Sequence, residues 1–130
     1  MLKQIIAATL LAAGIALAAP AFAQGPGGAT IAETAKGKTL VDAKGMTLYT
    51  FDHDMSGQSN CIAACAKNWP ALPAAADAGS KGDWTIITRD DGSKQWAYKG
   101  RPLYTFVKDE KPGDITGDGL ANGAWHVATP

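Results

Sequence analysis

The sequence has few of the side chains that usually carry out chemistry. Its only cysteines are Cys61 and Cys65, and its only histidines are His53 and His126. No Cys-x-x-Cys-His occurs, which excludes covalent haem attachment by pattern. Gly-x-Ser-x-Gly, His-Glu-x-x-His and a phosphate-cradling glycine loop are absent as well, so none of those catalytic signatures is present. There is no excess of either charge, with 12 Lys and Arg against 12 Asp and Glu. The basic residues are scattered singly and form no stripe for nucleic acid, so no nucleic-acid partner is expected. No other partner can be read from composition.

Long hydrophobic runs are scarce too. The single one, Ile5 to Ala19, is apolar apart from Thr9 and Gly14, and it is shorter than the ~20 residues of a comfortable membrane span. Lys3 precedes it, Pro20 ends it, and Ala21-Phe22-Ala23 supplies the small-x-small pattern of a signal-peptidase site. Residues 1–23 are read as a signal peptide cleaved after Ala23, with no membrane span in the mature chain. No cysteine lies near that site to carry a lipid. The expected location is periplasmic or secreted. Residues 24–36 begin QGPGGAT; they are rich in glycine and are expected to form a flexible leader. Structure is expected to begin near Ile31 or Lys38, and residues 37–130 are expected to form a single domain.

The strongest feature of that domain is an internal repeat. Residues 44–54 read KGMTLYTFDHD and residues 99–109 read KGRPLYTFVKD, sharing KGxxLYTFxxD. Upstream, VDAKG aligns with WAYKG; downstream, Trp69 and Trp125 follow at similar distances. Each copy has the pattern of a hairpin: an extended segment, a Lys-Gly turn and a return strand over 46–51 or 101–106. Alternation puts Leu48 and Thr50 on one face and Tyr49 and Phe51 on the other. Both faces carry apolar residues, so each return strand should be covered on both sides. Trp84–Thr88, an Asp91-Gly92 turn and the strand from Lys94 complete a three-stranded meander, and Trp125–Val127 is expected to close the domain. Between the copies, NCIAACAKN (60–68) reads as a short helix with Asn60 as N-cap. The predicted fold is therefore mainly β: two repeated antiparallel hairpin units in one small domain, with a short helix between them.

The doubled Tyr-x-Phe-x-x-Asp resembles the secreted-repeat family of candidate lipoproteins defined by a Yx(FWY)xxD motif. Tyr49, Phe51 and Asp54 match it once, and Tyr104, Phe106 and Asp109 match it again. The cysteines before Trp69-Pro70 and the closing Gly123-Ala-Trp-His126 are also similar. The resemblance implies export and this fold. It implies no activity, because the family has no assigned function. This chain departs from the many members that look like lipoproteins, since it lacks the lipid-bearing cysteine.

Several residues are candidates for a site. The aromatics are expected in the core, with a shallow binding face as the alternative. Asp54 and Asp109 each close a motif and are expected to accept bonds from the N–H groups of the next turn; a catalytic carboxylate pair is the competing reading. Cys61 and Cys65, bound for an oxidising compartment, are expected to form a disulfide, with Cys61 at or before the helix start. The alternative is metal: Met46, His53, Met55, Cys61 and Cys65 together offer thioether, imidazole and thiolate, a set that suits copper. The loop from Asp109 to Gly119 has oxygen ligands but not the spacing of an EF-hand. The leading expectation is an exported, non-catalytic module, binding or structural, with no cofactor. The alternative is a periplasmic copper-binding or redox protein.

Overall fold

The computed structural model describes residues 26–130; the expected signal peptide lies outside the described residues. After a 3-10 turn at Pro26–Gly28 the strands are β1 (Thr30–Thr34), β2 (Gly37–Val41), β3 (Tyr49–Phe51), β4 (Trp84–Thr88), β5 (Lys94–Tyr98), β6 (Arg101–Pro102) and β7 (Trp125–Val127). Two short helical segments, α1 (Ala64–Asn68) and α2 (Leu120–Gly123), precede the closing segment of each half. All named strand pairs are antiparallel: β1 with β2, β3 with β7, and β4-β5-β6.

The expected flexible leader is too long. Thr30–Thr34 pairs with β2 in the register Thr30↔Val41 to Thr34↔Gly37, and Ala29 is buried. Alternation in TIAET and a tight turn into Gly37, whose φ is 91°, supply the hairpin. The domain therefore starts before residue 37.

The two halves are related by an approximate two-fold axis between Tyr49 and Tyr104. Each of these residues donates its N–H to the other's carbonyl, at 2.8 and 3.0 Å. Around that pair the backbone bonds occur in matched sets. Leu48 donates to Leu40 as Leu103 donates to Trp96, at 2.9 and 3.1 Å. Leu40 donates to Ala128 as Trp96 does to Leu72, both at 2.9 Å, and Ala128 donates to Leu48 as Leu72 does to Leu103. Asp52 donates to Ala124 as Val107 does to Asn68.

The closing segment of each half therefore lies against the return strand of the other half. Trp125–Val127 pairs with Phe51–Tyr49 of the first copy, whereas Ala71 bridges to Tyr104 of the second. The halves interlock: the β3-β7 sheet takes one strand from each half.

The turns differ by one residue. Lys99 and Gly100, with φ of 51° and 83°, make a two-residue hairpin turn with positive φ at both centres, the primed type that suits strand twist. The first turn is longer: Asp42 accepts from Gly45 N–H and donates to Met46, while its Oδ1 takes the N–H groups of Lys44 and Met46. The extra residue shifts the register, so Leu40, not Val41, occupies the place of Trp96.

The faces behave as alternation requires. Leu48 and Leu103 join Leu40, Leu72, Trp84 and Trp96 in one core cluster. Tyr49, Tyr104 and Phe106 join Trp69, Trp125 and Cys61 in a second, on the other side of the return strands. Phe51 packs against this second cluster, half-buried.

Candidate functional site

The motif residues meet at the pseudo-two-fold axis, and they do so crosswise. Tyr49 Oη donates to Asp109 Oδ2 at 2.7 Å, and Tyr104 Oη donates to Asp54 Oδ2 at 2.6 Å. Each copy's tyrosine thus holds the other copy's aspartate. The second carboxylate oxygen accepts from the following turn: Asp54 Oδ1 from Asn60 N–H at 2.6 Å, and Asp109 Oδ1 from Thr116 N–H and Oγ1 at 2.9 and 2.6 Å. The turn bonds were legible in the sequence; the crossing was not. Each motif also returns on itself, with Asp54 N–H on the Phe51 carbonyl and Asp109 N–H on that of Phe106.

Both tyrosines are fully buried. Burial first, and then the bond to a carboxylate, pushes their ionisation well above the ordinary tyrosine value of 10.0. The Asp54 carboxyl is also raised, by burial, against the opposing bonds from Tyr104 and Asn60. Tyr104 donates to Asp54, so Ser59 Oγ, 2.6 Å away, must donate to Tyr104. Ser59 in turn accepts from Arg89, whose guanidinium also reaches Gln95 Oε1 at 2.7 Å and the Cys61 carbonyl at 2.6 Å. Fully buried Gln95 donates to the Leu103 carbonyl. Arg89, Ser59 and Gln95 were not expected from sequence, since they belong to no repeat or motif. Asp54 and Asp109 are thus anchored separately, in different halves, with both oxygens of each occupied.

Aromatic rings fill the space between the braces. Phe51, Trp125, Trp69 and Phe106 form one stacked column, with centroid spacings of 4.3, 3.6 and 4.2 Å. The two tryptophans at its centre are equivalent residues of the two halves and lie within 3° of parallel. Tyr49 meets Trp69 edge-on, and Tyr104 meets Trp125 likewise. Such contacts contribute ~0.5–1.5 kcal/mol each beyond area burial. His53 continues the column on Phe51 at 4.9 Å and is exposed.

Cys61 and Cys65 are bonded, with Cα atoms 5.1 Å apart. Cys61 precedes α1, which begins at Ala64 after Ala63 takes a φ of 56°. Asn60 does not cap the helix; it is held by Asp54 and donates to the His53 carbonyl at 2.7 Å. The residues of the alternative copper set are placed as follows. A disulfide presents no thiolates, His53 stacks on Phe51, and Met55 is exposed. Among the described residues, no group of three His, Cys, Asp or Glu side chains gathers to hold a metal. In the loop after Asp109, Asp114 is taken up by Lys111 and the N–H of Glu110, and Asp118 by Lys36 and the N–H of Val127.

A family described as a secreted repeat of unknown function matches residues 30–73 and again residues 85–129. These spans coincide with the two interlocked halves and cover more than half of the chain, so the chain belongs to that secreted-repeat family. No curated protein and no solved structure matches the chain. No helix among the described residues is long and apolar enough to cross a membrane.

Proposed function

We propose that the protein is an exported, non-catalytic module of the periplasm or the extracellular space. In this reading the Yx(FWY)xxD motif is architecture: it locks two repeats into one rigid body that presents its surface to a ligand or partner. The supporting observation is the crossed pair of Tyr–Asp bonds, which together with the turn bonds from Asn60 and Thr116 engages both tyrosine hydroxyls and both carboxylate oxygens of Asp54 and Asp109 within the protein. A motif used that way leaves recognition to residues outside it. Export rests on the signal-peptide pattern of residues 1–23, with support from the secreted character of the family.

Osmotic-shock fractionation followed by intact-mass and thiol measurement tests this reading. The expected product is released from the cells, begins at Gln24, has no reactive thiol when unfolded without reductant, and carries no metal. A chain retained in the cytoplasm with residues 1–23 attached would refute export. Two free thiols with stoichiometric copper would replace this reading with the copper or redox one.

A further inference from the structure

The pseudo-two-fold axis allows one half of the molecule to be compared with the other. At positions where only the fold makes demands, the two halves carry similar residues: Leu48 and Leu103, Tyr49 and Tyr104, Thr50 and Thr105, Trp69 and Trp125. Three surface positions differ sharply. Asp52 corresponds to Val107, Arg101 to Met46, and His126 to Pro70, as fixed by the matched backbone bonds and the Lys-Gly turns. The fold accepts apolar side chains at all three places, so it does not require the polar ones.

Those three polar residues are gathered at one cleft. Two adjoining cavities, of about 290 and about 390 Å³, share Thr50, Lys99 and Arg101 in their walls. Asp52 lines the first and His126 the second. His126 Nε2 and Asp52 Oδ2 lie 2.8 Å apart, and Asp54, which also borders the cleft, is occupied by Tyr104 and Asn60. The cleft carboxylates are therefore already engaged. Among the described residues, neither Lys99 nor Arg101 has a carboxylate within 4.0 Å. The combined space is the size of a small organic ligand. The Lys99 ammonium lies 5.3 Å from the centre of the Tyr98 ring, and a guanidinium and an ammonium lining one space suit an oxyanion.

We propose that this cleft binds a small organic oxyanion of about one sugar unit, a carboxylate or a phosphate ester, held by Arg101 and Lys99. The site rests on the reading of the domain as a binding module and supplies its ligand class. The shared chemistry is an anionic group with two or more oxygens facing Arg101, and a carboxylate or a phosphate would each provide it.

The test is a titration of the mature protein followed by NMR of both protein and ligand, using glucuronate, glucose 1-phosphate and neutral glucose as probes. One or both anions should bind, shifting the amides around Thr50 and Arg101, while glucose should not. Whichever anion binds more tightly identifies the oxyanion. Arg101→Gln, at an exposed position, should weaken binding about tenfold or more. Lys44→Ala, at the position equivalent to Lys99, should leave it unchanged. Binding of glucose as tight as that of the anions, no binding of either anion, or an unchanged affinity in Arg101→Gln would overturn the proposal. Conversion of a bound probe, visible in its own spectrum, would refute the non-catalytic reading and leave the site standing.

Discussion

Tyr49→Phe isolates the crossed brace, because it removes one oxygen and leaves the ring. Tyr49 is fully buried. Its hydroxyl donates to Asp109 at 2.7 Å and accepts the Gly117 N–H at 3.2 Å. The edge-on contact with Trp69 survives the change. Two groups then lose a partner where water has little access: the Asp109 carboxylate, 8% exposed, and a backbone N–H. A hydrogen bond to a charged group is worth about 1.5–3 kcal/mol. The expected loss in urea unfolding, with the disulfide intact, is about 2–3 kcal/mol, or a fall in Tm of about 10–20 °C for a domain of this size. Tyr104→Phe should cost less, about 1–2 kcal/mol, because Asp54 is only half-buried and water can replace the lost donor. A double-mutant cycle of Tyr49→Phe with Asp109→Asn should show coupling above about 1 kcal/mol. If Tyr49→Phe cost under about 0.5 kcal/mol, or if the two changes were additive, the brace would carry no weight and the reasoning would fail.

Alkaline pH acts on the same pair. Both tyrosine ionisations are raised in the folded protein, so above the unfolded value near 10 the unfolded chain loses protons that the native one keeps. Stability should then fall by up to about 1.4 kcal/mol per pH unit for each tyrosine, and urea midpoints measured from pH 9 to 11 should be flatter in the Tyr49→Phe/Tyr104→Phe variant. A second prediction concerns Gly117, where an added Cβ would sit 2.5 Å from the Trp69 ring and 3.1 Å from Phe106. Gly117→Ala should destabilise by about 1–3 kcal/mol through overpacking, with a change in near-UV circular dichroism as the tryptophan stack shifts; a neutral Gly117→Ala would place the stack elsewhere. Replacing both cysteines by serine opens only a short loop and should cost about 2 kcal/mol on the chain-entropy model, leaving the domain folded by far-UV circular dichroism.

Much of the fold was legible because it is written locally. KGxxLYTFxxD fixed two hairpins, and the alternation of Leu48, Tyr49, Thr50 and Phe51 foretold cores on both sides of the return strand. The crossing of the halves was not legible. Tyr49 and Asp109 are 60 residues apart, and no periodicity states which copy of a repeated strand a closing segment joins. The strand Thr30–Thr34 was lost behind a glycine-rich opening whose composition suggested disorder. Asn60 had the right residue type for a helix cap, but Asp54 claims it and the disulfide delays the helix to Ala64. The cleft of Arg101 and His126 was not legible either, because Arg101 fills a variable position of the repeat and no local pattern brings His126, 25 residues on, against the same wall.

The central claim is that the repeats fold as one interlocked unit, and native-state hydrogen exchange on the full mature chain tests it most directly. The amides of Leu48 and Tyr49 in one half, Leu103 and Tyr104 in the other, and Leu72 and Ala128 in the exchanged segments should all open with a single free energy equal to that of global unfolding. Exchange of one half's set at a distinctly lower free energy, with the other half still protected, would show that the repeats open independently and would contradict the claim.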